Sequence, residues 1–353
     1  MRVLVAMSGG VDSSTAAALL VEAGHDVTGV HLKMADTPSG LPGKGCCTLD
    51  DARDARRVAD LLGIGFYVWN FAGAFGDRVV DDFVAGYAAG RTPNPCIRCN
   101  ERVKYAALLA RARAVGFDAL ATGHHVRLRH DPGGRRQRLL RATDPDKDQT
   151  YVLYMASQEQ LAHSLFPAGE HHKADLRAMA ADRGLVTASK PDSHDICFIP
   201  DGDTAGFLQR RLGERPGPVV GSDGDVLAHH DGAYRFTVGQ RRGLGVAGQP
   251  RPLFVTAVRG DTVVVGQRED LRVAALEATG VSWVAGTPPA PDRAVTAQVR
   301  YRTAPLPAAL APEGDRLRVT FTGERPEGVA PGQAVVVYDG EECLGGGTIE
   351  RAA

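Results

Sequence analysis

Short apolar runs alternate with helical patterns over the N-terminal third of the chain. Val3 to Ala6 is β-rich and leads through a Gly/Ser stretch into an Ala/Leu-rich helix ending near Ala23. Val27 to Leu32 reads as a second strand, Phe66 to Trp69 as a third, and Ala119 to Ala121 as a short further one. Between them, apolar residues recur at helical spacing over Leu49 to Leu62, Phe75 to Ala89 and Tyr105 to Val115. Asp50 and Asp51 suit the positive end of the first of these helices. Strands alternating with helices predict an α/β fold, a parallel, doubly wound sheet. Val126 to Leu128 and Arg138 to Leu140, parted by Asp131-Pro132-Gly133-Gly134, read as a hairpin set into that pattern.

After about Phe207 helical periodicity fades and Gly and Pro become frequent, as in Pro216-Gly217-Pro218. Strand-like runs follow at Val255 to Val258, Thr262 to Val265, Arg316 to Phe321 and Ala334 to Tyr338, with turn signals such as Asp339-Gly340. That pattern predicts a small β-rich central domain and then a C-terminal β-barrel. The expected division is 1–205, 206–272 and 273–353. A chain of 353 residues is long enough for two or three such cores.

Composition is that of a globular, soluble protein, with 43% hydrophobic and 24% charged residues. No apolar run approaches the ~20 residues that span a bilayer, so no membrane association is expected. Met1-Arg2-Val3-Leu4 runs straight into a strand without a secretory pattern, which makes the cytoplasm the expected compartment. Six cysteines are too few for a disulfide scaffold and point to metal or thiol chemistry. The formal net charge is −1, but Arg91 to Arg141 holds twelve Lys or Arg against three Asp or Glu. Such a stripe is either the footprint of a polyanion or a solvated helix face with an Arg-rich hairpin.

Ser8-Gly9-Gly10-Val11-Asp12-Ser13-Ser14 lies between the first strand and the first helix. Glycines there let backbone N–H groups close on phosphate oxygens, with the positive end of the helix dipole behind them. The serines add hydroxyl donors, and Asp12 suits Mg²⁺, which takes carboxylate plus phosphate oxygens. The string lacks the Gly-Lys-Ser/Thr ending of the usual P-loop and is not G-x-G-x-x-G. It resembles the signature of the ATP pyrophosphatase (PP-loop) family, whose members cleave ATP between the α- and β-phosphates to adenylate a carbonyl oxygen. That resemblance implies that Ala6, Met7, Ser8, Gly9, Gly10, Val11, Asp12 and Ser13 contact the phosphates. Leu32 and Gly123, in Thr122-Gly123-His124-His125, would line the adenosine.

Arg91-Thr92-Pro93-Asn94-Pro95-Cys96-Ile97-Arg98-Cys99-Asn100 reads as a rigid loop whose prolines fix φ. Its Cys-x-x-Cys pair supports thiolate chemistry or half of a metal site. A third cysteine stands in Lys190-Pro191-Asp192-Ser193-His194-Asp195-Ile196-Cys197-Phe198, read as a polar loop with a short strand-like end. Together with Asp144-Pro145-Asp146-Lys147-Asp148-Gln149-Thr150-Tyr151 and Thr237-Val238-Gly239-Gln240-Arg241, these strings resemble the tRNA-specific 2-thiouridylases, over nearly the whole chain.

That resemblance implies ATP-dependent 2-thiolation of the wobble uridine of tRNA, releasing AMP and pyrophosphate. Sulfur would arrive from a cysteine desulfurase or sulfur carrier protein as a persulfide on Cys197. Cys99 would act as nucleophile or resolve the persulfide into a Cys99–Cys197 disulfide, and Asp12 would manage Mg²⁺. His124, Lys147, Asp148, Gln149, Arg300, Tyr301 and Gln333 match the family's tRNA contacts, and the protein is expected to work as a monomer. Arg91, Arg98 and Arg102 suit a lowered thiol pKa, against about 8.5 for a free thiol.

The chain departs from many family members in carrying Cys96 where they have Asp. Cys96, Cys99 and Cys197 therefore also admit an iron–sulfur cluster or structural zinc as alternatives to a persulfide relay. Two wider rivals remain: a PP-loop synthetase acting on a small molecule, and a non-catalytic metal- or iron–sulfur-containing RNA-binding protein. Cys46 and Cys47 read as loop thiols, Cys343 as packed and apolar, Trp69 as core, and Tyr151 and Met155 as packing.

Overall fold

The computed structural model describes residues 1–35, 48–192 and 196–352. Cys46 and Cys47, and the string Ser193-His194-Asp195, lie outside them. Five parallel strands form the first sheet: β1 (Arg2–Ala6), β2 (Asp26–Lys33), β3 (Gly65–Asn70), β4 (Ala119–Ala121) and, after a hairpin of β5 (Val126–His130) and β6 (Gln137–Arg141), the short β7 (Ser164–Leu165). Their spatial order is β3-β2-β1-β4-β7. The chain winds outward from β1 to β3 and then returns to lay β4 on the other flank of β1. The crevice at the carboxyl ends of β1 and β4 is thus a topological switch point, where doubly wound sheets bind ligands.

The helices follow from local chemistry. Helix α1 (Val11–Glu22) is Ala-rich, and Ala16, Ala17 and Ala18 are buried against the sheet. Helix α2 (Leu49–Leu62) opens with a capping box between Thr48 and Asp51 and ends on Gly63 at φ +68°, a left-handed position that suits glycine. Helix α3 covers residues 72–88 and α4 residues 95–114, each with a π-helical stretch, Gly76–Val80 and Asn100–Leu108. Helices α5 (Gln158–Ala162), α6 (Lys173–Asp182) and α7 (Thr204–Leu212) complete the set used below.

Strand β3 is the sheet's edge, with Tyr67 and Val68 exposed. Trp69, expected in the core, is half-buried, and the Arg111 guanidinium lies 4.3 Å from its ring centroid.

The central domain is a four-stranded sheet, ordered β10-β11-β8-β9, of β8 (Gly217–Val220), β9 (Val226–His230), β10 (Phe254–Arg259) and β11 (Thr262–Gly266). Val219, Phe236, Val255 and Val263 form its core. The C-terminal domain is a closed six-stranded barrel. Its strands are β12 (Ala275–Trp283), β13 (Val295–Gln298), β14 (Leu306–Glu313), β15 (Arg316–Phe321), β16 (Ala334–Asp339) and β17 (Glu342–Ala352), and β12 pairs with both β15 and β17. Strict alternation in β15, exposed then buried through Phe321, is the period-2 signature of a barrel wall.

The hairpin expected as an insertion in the α/β unit does more than decorate it. Strand β6 pairs with β17, Leu140 opposite Glu342 and Leu139 opposite Cys343, so the first domain extends the barrel's sheet. One apolar cluster accordingly joins Ile97, Tyr105, Leu139 and Tyr151 of the first domain to Ala334, Tyr338 and Cys343 of the barrel. Tyr151 Oη donates to the Ala334 carbonyl at 2.7 Å. Cys343 is fully buried there, and burial pushes its thiol pKa up. Among the described residues no helix is long and apolar enough to cross a membrane.

Candidate active site

The phosphate loop turns directly out of β1. Gly9 has φ +80°, and a Cβ there would collide with the backbone of Asp51 at the start of α2. Gly10 caps α1 without a side-chain hydrogen bond, which leaves the first N–H groups of α1 to a ligand. Ser13 and Ser14 turn their hydroxyls back onto the Gly10 carbonyl at 3.1 and 2.9 Å. Gly123, after β4, lies against the loop: a Cβ on it would sit 2.6 Å from Ser13 N and 2.8 Å from Asp12 C. The two glycines therefore permit the close approach of three backbone segments at the switch point.

Asp12 is held from two sides. Lys173, the first residue of α6, places Nζ 2.7 Å from both carboxylate oxygens, and His125 Nε2 lies 3.2 Å from Oδ1. Burial works against the charged carboxylate, yet His125 and Lys173 outweigh it and keep the pKa of Asp12 below the usual range. Lys173 also reaches Asp192 at 3.0 Å. Asp192 receives Lys147 and Arg177 as well, each at 2.8 Å. Burial disfavours its charge too, but Lys147 and Lys173 hold its pKa well below the ordinary value. This network ties the phosphate loop to two of the motifs singled out in the sequence.

The Cys-x-x-Cys string is not a loop. Asn94 accepts hydrogen bonds from Cys96 N and Ile97 N at 3.0 and 3.4 Å, and Pro95 occupies the first helical position, so the string opens α4. Asn-Pro was the available signal, a cap followed by a proline at N1. Cys96 is exposed and Cys99 is 9% exposed. Cys197 sits among turns rather than in a strand-like end, and Phe198 beside it packs edge-on to Phe75 and Phe83. Cys99 belongs to an apolar cluster that includes Ala6, Leu32 and Met34 from the ends of β1 and β2, and Cys197 packs against that same cluster.

Among the described residues no group of three or more His, Cys, Asp or Glu side chains is placed to hold a metal ion. Asp12 remains an oxygen donor of the kind Mg²⁺ takes together with phosphate oxygens. The expected cationic setting of the thiols is also altered. Arg98 pairs with Glu101 at 2.9 Å and with Asp82 at 3.5 Å, and Arg102 with Asp82 at 2.9 Å. The wider basic stripe is met likewise by carboxylates from elsewhere in the chain, as in Arg113–Glu159, Arg129–Glu170 and Arg138–Glu342.

The residues matched to tRNA contacts divide into two groups. His124 is buried beneath the crevice beside Thr122 and Tyr105, and burial, with the charge of Lys104, holds its pKa far down. Gln149 brackets His125, its Oε1 accepting from the His125 N–H at 2.9 Å. Asp148 is taken by Arg141 at 2.6 Å and by the Thr150 hydroxyl at 2.7 Å, while Lys147 reaches Asp192. The second group joins domains. Gln333 Nε2 donates to the Thr92 carbonyl at 2.8 Å, Thr92 N donates to Pro331 O at 2.7 Å, and the Thr92 and Thr237 hydroxyls are 3.3 Å apart. Arg300 donates to the Val238 and Gly328 carbonyls, and Tyr301 packs on Tyr151 with centroids 6.0 Å apart. Both β domains therefore grip the segment that leads into Cys96 and Cys99. Lys173, His125 and Thr92 were not singled out in the sequence, because their significance lies in partners distant along the chain.

Fold and site define a class: a nucleotide-handling α/β domain braced by two β domains. Family models agree in three parts, a tRNA methyl transferase HUP domain over residues 1–201, a tRNA methyl transferase PRC-barrel domain over 205–277 and an aminomethyltransferase beta-barrel domain over 273–349. The tRNA-specific 2-thiouridylase MnmA of Acidothermus cellulolyticus is 54% identical over 99% of this chain and 98% of its own length. The proteins of the same name from Mycolicibacterium smegmatis and Thermobifida fusca are 52% and 51% identical, over 99% and 100% of this chain and 100% and 96% of their own lengths. The chain belongs to the tRNA-specific 2-thiouridylase family.

Proposed function

We propose that this protein is an ATP-dependent tRNA-uridine 2-sulfurtransferase that acts on the wobble uridine. The observation that supports the reading is the apolar cluster at the ends of β1 and β2 that holds Ala6, Leu32 and Cys99 and against which Cys197 packs. The uridine 2-carbonyl oxygen attacks the α-phosphorus of ATP, and the bond to the β-phosphate breaks with its electron pair leaving on pyrophosphate. The bared N-terminus of α1 receives phosphate oxygens. Mg²⁺, when bound, supplies charge neutralisation on those oxygens, with Asp12 as its protein donor.

The adenylated base then has AMP as a leaving group. A partner, a cysteine desulfurase or sulfur carrier, loads Cys197 as a persulfide. The Cys99 thiolate attacks the Cys197 sulfur, forms the Cys99–Cys197 disulfide and frees the terminal sulfur as sulfide. Sulfide adds at C2 and AMP departs with the original oxygen. An external thiol reduces the disulfide to restore the enzyme. The wobble base must leave its stack to reach the crevice, as bases do in enzymes that modify them. Arg300, Tyr301 and Gln333 contribute to tRNA binding, and Gln333 also holds the segment before Cys96 through the Thr92 carbonyl.

The test is a reconstitution with unmodified tRNA, ATP, Mg²⁺ and a persulfide-generating sulfurtransferase, followed by digestion and mass spectrometry for 2-thiouridine. Formation of 2-thiouridine by the wild type, and none with Cys99→Ala or Cys197→Ala, is the expected result. Release of pyrophosphate with a small-molecule acceptor and no thiolated base would move the assignment to a synthetase.

A further inference from the structure

The two thiols are positioned by unequal means. Cys99 rides on α4, whose backbone hydrogen bonds fix its place. Cys197 lies in a turn, so its place depends on what the side chains beside it pack against. The Ile199 N–H donates to the Ile196 carbonyl at 3.1 Å, which closes a turn with Cys197 and Phe198 at its two central positions. Ile199 is 3% exposed, and Ile196 and Phe198 pack beside it in a cluster with Phe83, Leu208 and Tyr234. Cys197 packs instead against the cluster that holds Cys99, and Phe198 touches both clusters.

Phe198 is held by rings on three sides. Its centroid lies 5.8 Å from that of Phe75, 5.2 Å from Phe83 and 5.5 Å from Phe207, with interplanar angles of 73°, 86° and 57°. Tilted and edge-to-face contacts of this kind favour one ring orientation, which an aliphatic side chain would not impose. Phe75 and Phe83 belong to α3 and Phe207 to α7. Helix α7 is tied in turn to the central domain: Tyr234 Oη donates to the Gly213 carbonyl at 2.8 Å, and Arg235 Nη2 donates to Gln209 Oε1 at 2.7 Å. The residue next to the thiol is therefore wedged where the first domain meets the central one. That matters for the chemistry, because a disulfide needs Cα atoms about 4.4–6.8 Å apart, and misplacing a reacting group by about 1 Å can cost about a hundredfold in rate.

We infer that Phe198 is a positioning residue for Cys197: its ring, seated between Phe75, Phe83 and Phe207, fixes the reach of the thiol toward Cys99. Phe207 supports that seat from α7, so the central domain contributes to sulfur transfer without touching the reacting atoms. The inference rests on the sulfur chemistry proposed above.

Single turnovers of the full chain, loaded with persulfide and mixed with ATP, Mg²⁺ and unmodified tRNA, test it by following pyrophosphate and 2-thiouridine in the same samples. For Phe198→Leu, which keeps an apolar side chain but loses the ring, 2-thiouridine is expected to form about tenfold or more slowly, with pyrophosphate release within about twofold of wild type. Phe207→Leu, one ring further from the thiol, is expected to show the same split at about threefold. Sodium sulfide in excess bypasses Cys197 and is expected to bring both variants to the wild-type rate measured with sulfide. Equal 2-thiouridine formation by Phe198→Leu and wild type would overturn the inference. So would a parallel fall in pyrophosphate release, or a deficit that sulfide does not repair, since either signals a general loss of structure. An unchanged Phe207→Leu would overturn the part assigned to that ring. A wild-type chain that forms no 2-thiouridine would instead overturn the sulfur chemistry beneath the inference, so the two failures are told apart.

Discussion

The phosphate loop draws its working groups from one continuous string, Ser8 to Ser14, set between β1 and α1. The thiol centre takes Cys99 from near the start of α4 and Cys197 from turns far along the chain, and the segment before Cys96 is gripped by residues of two further domains. The first site is local and backbone-made, so it tolerates little change in shape. The second is assembled by docking, so it responds to residues that touch no substrate. They are linked by the apolar cluster that holds Ala6 and Leu32, at the ends of β1 and β2, together with Cys99, and against which Cys197 packs.

Substitutions that separate the two regions can break this comparison. The largest effect is expected from Gly123→Ala, whose Cβ would press on the Ser13 and Asp12 backbone. Backbone cannot swing aside as a side chain does, and a cost of roughly 1–3 kcal/mol at the loop corresponds to about fivefold to 150-fold weaker ATP binding, read by titration. Equal ATP affinity would show that the loop is less tightly built than described. A smaller effect is expected from Gln333→Ala, which removes one hydrogen bond to Thr92. About a threefold to tenfold fall in single-turnover thiolation, with ATP affinity unchanged, fits a net loss near 1 kcal/mol at the docked segment. Loss of ATP binding in that variant would instead couple the two regions directly.

Acid should act on the network between them. The pKa values of Asp12 and Asp192 are both depressed in the fold, so their stabilisation is present above the ordinary carboxylate range and lost as pH falls through the depressed values. Thermal melting of wild type should fall more steeply below about pH 4 than that of Asp192→Asn, which lacks one of the two titrations. Superimposable pH profiles would remove Asp192 from the account. The smallest effect belongs to Arg113→Ala, an exposed pair with Glu159 remote from both sites, where a change within about 0.5 kcal/mol is expected from chemical denaturation.

What could be read in the sequence follows the same division. The phosphate loop, the bounds of α2 and the short β4 were legible because each is fixed by neighbours in the chain: glycine for close approach, acidic residues at a helix start, a run of small apolar residues. Asn94 and Pro95 were misread as stiffening a loop, because proline restrains φ equally well at the first turn of a helix. The pairing of β6 with β17 was hidden, since nothing in a hairpin's own residues names the strand that will lie beside it. The basic stripe looked bare for a similar reason: the carboxylates that meet it, Asp82, Glu159, Glu170 and Glu342 among them, lie outside it in sequence. Lys173 carried no local signal at all, and only the fold places it on Asp12.

The account's central claim is that the two distant thiols act as a pair beside the activated base. Peptide mapping by mass spectrometry after a single turnover without reductant tests it most directly, on enzyme loaded with persulfide and mixed with ATP, Mg²⁺ and unmodified tRNA. The account predicts a Cys99–Cys197 disulfide formed in step with 2-thiouridine. Stoichiometric 2-thiouridine with Cys99 still a thiol, or a disulfide from Cys197 to Cys96 instead, would contradict it.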